Sequence, residues 1–386
     1  MFLEMTGSVF SKQVAAITAF LKILTQKYMK KIFALLLPAI AFFGCDPDPV
    51  DPPATFDPTP YTLSLGTFPE PDLPADNKLT LAGVQLGRML FYEKMLSKDG
   101  SQACADCHKQ EDAFSDIRRF SIGVEKLPGN RQAMAVMNLA WHQNGLFWDG
   151  RAPHVRDQSL GPIQNPVEMN ETLPNAVAKL KIDKRYTDQF IRAFGDNSVT
   201  AERMSLAMEQ FMFTMVSNNS KYDQYQKGEV TLTDAEERGR TLFFSEFDPF
   251  GSERGAECFH CHATFNFTND EFMNNGLDPD ASMTDEGRKL VSNDPIDRGK
   301  FKVPSLRNIA LTPPYMHDGR FATLEEVIDH YNTGVKASST VDELMQYNLL
   351  TGGLQMTAQD KADLVAFLKT LTDETFRTNP AYKSPF

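Results

Sequence analysis

The sequence predicts a mostly α chain of two similar halves, with long ordered loops between its helices. Three observations carry that expectation. Apolar residues recur at three- and four-residue spacing in six segments, and no strictly alternating run exceeds a few residues. The pentapeptide Cys-x-x-Cys-His occurs twice, at Cys104–His108 and at Cys258–His262.

Helical spacing covers Leu81–Tyr92, Leu173–Phe194, Ala201–Met215, Ala235–Phe244, Leu324–Tyr331 and Ala358–Leu371. Ser198-Val199-Thr200 and Thr231-Leu232-Thr233-Asp234 place side-chain oxygens before the third and fourth of these, where backbone N–H groups lack intrahelical partners. Thr357 opens the last helix in the same way, and Gly334 closes the fifth. Gly, Pro and Asn gather in Gly161–Asn170 and Leu311–Arg320, which read as loops. The helices ahead of the two pentapeptides share a pattern. Leu86-Gly87-Arg88-Met89-Leu90-Phe91 and Arg238-Gly239-Arg240-Thr241-Leu242-Phe243-Phe244 each reach a Leu-Phe pair roughly 14 residues before the first cysteine, which predicts an internal duplication. The expected division is a signal region at 1–44, a stalk at 45–78, an N-terminal domain at 79–228, a C-terminal domain at 229–372 and a tail at 373–386.

Cys-x-x-Cys-His attaches a c-type haem: two thioether bonds hold the macrocycle edge, and the adjacent histidine reaches the iron. Structural zinc needs four ligands together, whereas 154 residues separate Cys104 from Cys258 and each pair has its own histidine. A redox dithiol has no use for that histidine twice. A disulfide between residues three apart is an uncommon structural choice. The fold class expected is therefore mostly α, with two cytochrome c-like haem domains. Cys104, Cys107 and His108 would hold one haem; Cys258, Cys261 and His262 would hold the other.

The start of the chain reads as an export signal. Met29-Lys30-Lys31 is basic, Ile32–Phe43 is an apolar run too short to span a bilayer comfortably, and Gly44-Cys45 follows. A small residue before a lone cysteine resembles a bacterial lipoprotein cleavage site, so Cys45 is expected to carry the lipid anchor of a periplasmic protein. Asp46–Pro74, rich in Pro, Asp and Thr, reads as a semi-extended spacer. A net charge of −12 and a pI near 5.1 argue against nucleic acid or an anionic membrane surface as partner.

An electron carrier keeps both irons six-coordinate, whereas a peroxidase needs one open iron with a proton-transfer group beside it. Phe147-Trp148-Asp149-Gly150-Arg151, then Gln158, then Gly161–Met169 with Glu168, supply such a group. Together with Ser121-Ile122-Gly123 and Leu311–Gly319, this stretch resembles the bacterial di-haem cytochrome c peroxidase and MauG family. The resemblance covers most of the chain beyond the spacer. It implies that the haem of Cys104, Cys107 and His108 reacts with hydrogen peroxide. Glu168 matches the family's catalytic carboxylate, Gln158 its partner in the distal pocket, and Trp148 the tryptophan that couples the two haems. The haem of Cys258, Cys261 and His262 would admit or share electrons. Arg298, Lys302 and Arg307 are the candidate partners of haem propionates.

Two departures from the family peroxidases bear on mechanism. Many carry a histidine directly after Ser-Ile-Gly, which ligates the peroxidatic iron and must leave before substrate enters. Here that position is Val124, which has no ligand atom, so the N-terminal iron is expected to be five-coordinate without reductive activation. The family peroxidases also have a methionine fourteen residues after the histidine of their Pro-Tyr-Phe-His motif, and counting from His317 reaches Tyr331, as in MauG-type enzymes. A phenolate favours the ferric state and lowers the potential relative to methionine. His330, Met345 and Met356 are the alternatives, with Tyr331 then a packing residue. The resemblance further implies a calcium ion between the domains, on the carbonyls of Thr312 and Pro314, with Gln132 where the family has asparagine. His142, His154 and His260 read as polar surface or loop groups.

The reading is an exported, lipid-anchored peroxidase that reduces hydrogen peroxide to water with electrons from a small redox protein such as a cytochrome c. A homodimer is left open. One rival is a MauG-like oxidase that withdraws electrons from a partner protein's side chains, favoured chemically by Val124 and Tyr331. The other is a non-catalytic di-haem electron-transfer protein. Glu168 and Gln158 speak against it, because a pure carrier gains nothing from an open, acid-lined pocket.

Overall fold

A computed structural model describes residues 53–248 and 254–386. The expected signal region 1–44, the expected lipidation site Cys45 and the first residues of the stalk lie outside them. The helices are α1 (Leu81–Phe91), α2 (Val155–Gln164), α3 (Leu173–Lys181), α4 (Lys184–Phe194), α5 (Ala201–Thr214), α6 (Lys221–Gln226), α7 (Asp234–Phe244), α8 (Lys289–Ser292), α9 (Leu324–Asp329), α10 (Glu343–Thr351), α11 (Ala358–Lys369) and α12 (Glu374–Thr378). Among the described residues the only sheet is a two-residue antiparallel pair, β1 (Phe272–Met273) with β2 (Phe301–Lys302). No described helix is long and apolar enough to cross a membrane.

Caps fall where the hydroxyls predict them: Thr200, Thr233 and Thr357 each accept the backbone N–H three residues on. The segment 173–194 is two helices, because Asp183 accepts the N–H of Arg185 and starts α4 afresh. The loop expected at Gly161–Asn170 begins inside α2. Pro162 lies in that helix, so the carbonyl of Gln158 loses the N–H that would have bonded it. The helix expected at Leu324–Tyr331 is α-helical only to Asp329 and continues as a π turn, His330–Gly334.

Two apolar cores repeat one helix crossing. In the first, α1 packs on α5 so closely that a Cβ at Gly87 would lie 1.9 Å from the carbonyl oxygen of Ala207. In the second, α7 packs on α11, and a Cβ at Gly239 would lie 1.9 Å from the carbonyl oxygen of Asp363. Both glycines belong to the repeated Gly-Arg segment, so the duplicated pattern marks a shared packing geometry. Phe243, Phe267 and Phe367 fill the second core with tilted and edge-on contacts at 5.2–6.4 Å.

The ends of the described chain differ from the expected stalk and tail. Tyr61, Leu63 and Leu73 pack on the first core, and Phe68 is buried beside Trp141 and Phe265. Scattered apolar residues in a Pro- and Asp-rich segment are enough to lay it on the body without regular structure. The expected tail returns to the same core, where Tyr382 donates to the carbonyl of Thr214 at 2.7 Å and Arg88 holds the carbonyl of Lys383.

Candidate active site

Each pentapeptide forms a 3₁₀ turn, Cys104–Asp106 and Cys258–His260, closed by the histidine N–H donating to the first cysteine's carbonyl at 2.9 Å. His108 Nδ1 lies 3.0 Å from the carbonyl oxygen of Phe114, and His262 Nδ1 lies 3.1 Å from that of Phe267. A carbonyl only accepts, so Nδ1 carries the proton and Nε2 keeps the lone pair that an iron requires. Burial lowers both histidines, His262 to about 4, which keeps the rings neutral. Phe114 and Phe267 are both left-handed, with φ of 58° and 52°. That conformation costs on the order of 1–3 kcal/mol for a residue with a Cβ. Its recurrence shows that the carbonyl's aim at the histidine outweighs the strain.

One cavity runs between the motifs and is lined by Cys107, His108, Trp148, Cys258, Cys261 and His262. Paired cysteines and a neutral histidine at each end, with largely apolar walls, fit two c-type haems. Trp148 is buried, its indole N–H donates to the carbonyl of Gln132 at 2.8 Å, and its own carbonyl accepts from the N–H of Lys302 at 2.8 Å. The indole is thus pinned from both sides.

Gln158 and Glu168 line a smaller cavity with Cys104, Cys107 and His108. α2 carries Gln158 and is anchored by Arg156, which bridges the fully buried Glu209 of α5 at 2.7 Å and Asp76 at 2.7 Å. Burial raises the Glu168 carboxyl above its ordinary range, against a hydrogen bond from Asn165 and the charge of Arg151. Asn165 Nδ2 donates to Glu168 Oε1 at 2.6 Å. Sequence reading gave Asn165 no role, although its place three residues before the acid within Gln164-Asn165-Pro166 is the available signal. Val124 is buried, and its N–H donates to the carbonyl of Glu168 at 2.8 Å. It lines neither cavity. The Ser121–Val124 loop therefore braces the acid's backbone.

Tyr331 sits in the π turn and lines the shared cavity, with Asn275 Nδ2 donating to its hydroxyl at 3.2 Å. π turns concentrate at functional sites because they re-aim one side chain within a helix. Burial pushes the phenol up to about 12, so only a cation beside it makes a phenolate there. His330 is spent on the carbonyl of Asn275 at 3.1 Å and does not line the cavity. Met356 packs on the second core, while Met345 does line the cavity.

Known proteins are similar to this chain over most of its length. A family model described as di-haem cytochrome c peroxidase matches residues 81–231. The MauG protein of Methylophilus methylotrophus is 33% identical over 79% of this chain and 87% of its own length. The chain belongs to the di-haem cytochrome c peroxidase and MauG family. Cytochrome c551 peroxidase of Nitrosomonas europaea is 32% identical, covering 78% of this chain and 82% of the relative. The crystal structure of a MauG-like protein associated with microbial copper homeostasis is similar with a TM-score of 0.77 and 36% identity, over 84% of this chain and 99% of that one. As a member of this family the protein is a di-haem oxidoreductase with two c-type haems.

Other expected residues are placed differently from one another. Gln132, Thr312 and Pro314 all line the larger cavity between the motifs. Gln132 spends Nε2 on Ser115 Oγ and the carbonyl of Asp116, leaving Oε1 as its cation-binding atom. Arg307 is buried against Asp223 at 2.8 Å, and Arg298 pairs with Asp280 and Glu286; neither lines the cavity. Both guanidiniums are already neutralised by local carboxylates, so the propionate role expected of them is not supported. His154 is exposed at the start of α2, and His260 pairs with Glu246 at 3.0 Å. His142 lies in a loop, as expected, and its side chain, 8% exposed, sits on the cavity wall.

Proposed function

We propose that the protein reduces hydrogen peroxide to water at the haem of Cys104, Cys107 and His108, with electrons from an external redox protein such as a small cytochrome c. The observation that carries this reading is Glu168 and Gln158 lining the cavity of the first motif, with the non-ligating Val124 outside that lining. The haem, when bound, supplies the electrons that break the O–O bond. Glu168 in its ionised form takes the proton from the near oxygen of peroxide and returns it to the far oxygen, which leaves as water. Gln158 holds the substrate by hydrogen bonds. Trp148 couples this site to the haem of Cys258, Cys261 and His262, where electrons enter.

The finer features of this proposal are two haem domains at 79–228 and 229–372, a calcium ion held by Gln132, Thr312 and Pro314, and periplasmic export with a lipid anchor at Cys45. Steady-state peroxide consumption with a panel of reduced small cytochromes tests the activity. Turnover that responds to at least one donor is expected, and no consumption with any of them would refute it. Tyr331 in its π turn favours a second reading, a MauG-like oxidase acting on a partner protein. That reading predicts that peroxide added without a donor leaves both oxidising equivalents stored across the two haems.

A further inference from the structure

His142 Nδ1 lies 2.7 Å from Asp270 Oδ1, and the two side chains are 8% and 16% exposed. Asp270 is also fixed by Lys302 Nζ at 2.5 Å and by the backbone N–H groups of Gln143 and Asn144 at 2.7 and 2.9 Å. Burial favours its acid form, yet His142 and Lys302 hold it well below the usual carboxylate range. An ionised carboxylate only accepts, so His142 Nδ1 carries a proton, and Nε2 is the nitrogen of this cavity-lining ring left for a further partner.

The cluster belongs to the second motif. The N–H of Asn269, the residue before Asp270, donates to the carbonyl of Cys261 at 2.8 Å, and the carbonyl of Phe267 accepts from His262. The N–H of Lys302 donates to the carbonyl of Trp148. Charge balance names the ligand. Lys302 already neutralises Asp270, and its side chain is only 1% exposed. An additional carboxylate in the cavity would be an uncompensated buried charge unless a proton on His142 Nε2 meets it.

We propose that His142 donates a hydrogen bond from Nε2 to a propionate of the haem carried by Cys258 and Cys261, with Asp270 and Lys302 as the charge pair that orients the ring. This rests on the family's two haems occupying the cavity. It replaces Arg298 and Arg307, which are engaged elsewhere, by a residue that sequence reading set aside. His142 acts on the haem as a positioning residue. It places a hydrogen-bond donor beside an anionic substituent, and so favours the reduced state.

The test uses the full chain with both haems, as His142→Phe and His142→Gln. Haem content per chain, the resonance Raman propionate bending band and the midpoint potentials are measured. Two haems are expected in each variant. In His142→Phe the bending band shifts and the potential of the C-terminal haem falls, and His142→Gln, a neutral donor, lies between it and wild type. Wild-type band and potential in His142→Phe would overturn the proposal. Should the Phe variant not fold, unchanged values in His142→Gln overturn it alone. A wild-type chain with fewer than two haems would instead overturn the occupancy of the cavity on which the proposal rests.

Discussion

Replacing Glu168 by glutamine separates the acid's chemistry from its shape. Asn165 Nδ2 holds Glu168 Oε1 at 2.6 Å, and the amide oxygen of glutamine can accept the same bond, so the loop is kept and haem attachment at Cys104 and Cys107 is untouched. The proton-transferring oxygen is lost. General acid–base catalysis is worth roughly 10²–10⁴ in rate, which at about 1.4 kcal/mol per decade is a barrier rise of about 3–5 kcal/mol. Burial also raises the carboxyl above its ordinary value of 4.5. Only the ionised form takes a proton, so the acid limb of kcat/KM in the wild type lies above that value and vanishes in Glu168→Gln. Stability moves the other way. A carboxyl whose pKa is raised by folding contributes its stability below the unfolded value and loses it as pH rises through the folded one. Glu168→Gln should therefore melt higher than wild type at neutral pH, with the difference closing in acid. Stopped-flow peroxide decay with a reduced cytochrome, alongside thermal melts across pH, reads both effects. Near-native turnover with an unchanged acid limb would place the catalytic carboxylate elsewhere.

Three further outcomes are expected. Asn165→Ala removes a hydrogen bond that lowers the Glu168 pKa, so the acid limb should move to still higher pH with haem content intact; an unmoved limb would show that the bond does not reach the chemistry. On the proposed ligation by Tyr331, Tyr331→Met exchanges a phenolate for a thioether and should raise the potential of the C-terminal haem; an unchanged potential and low-spin spectrum would make Tyr331 a packing residue and turn attention to Met345. Gly239→Ala forces a Cβ to within 1.9 Å of the Asp363 carbonyl oxygen and should cost about 1–3 kcal/mol or more by chemical denaturation, and a neutral result would mean the α7–α11 crossing opens without strain.

The haem motifs and the main helices are legible because each is local: contiguous residues at fixed spacing, or hydroxyls directly before apolar periodicity. What stayed hidden depends on partners distant in the chain. Gly87 and Gly239 could be seen as part of a repeat, but their meaning lies in Ala207 and Asp363, more than a hundred residues away. Arg298 and Arg307 read as propionate partners in the sequence because their carboxylates, Asp280 and Glu286 on one and Asp223 on the other, are supplied by the fold. His142 reads only as a surface or loop group because Asp270, 128 residues later, is what orients it. α2 escaped notice because Gly161 and Pro162 break its periodicity, though tertiary anchoring by Arg156 holds it. The π turn at Tyr331 has no single-sequence signal, and it carries the aim of the residue on which the choice between the two oxidoreductase readings rests.

The central claim is that Val124, held against the backbone of Glu168, leaves the peroxide-facing iron open. Electron paramagnetic resonance of the as-isolated, fully ferric protein tests it most directly, followed by addition of peroxide to the same sample. One high-spin and one low-spin haem, and reaction without prior reduction, are predicted. Two low-spin haems that react only after a one-electron reduction would contradict the account.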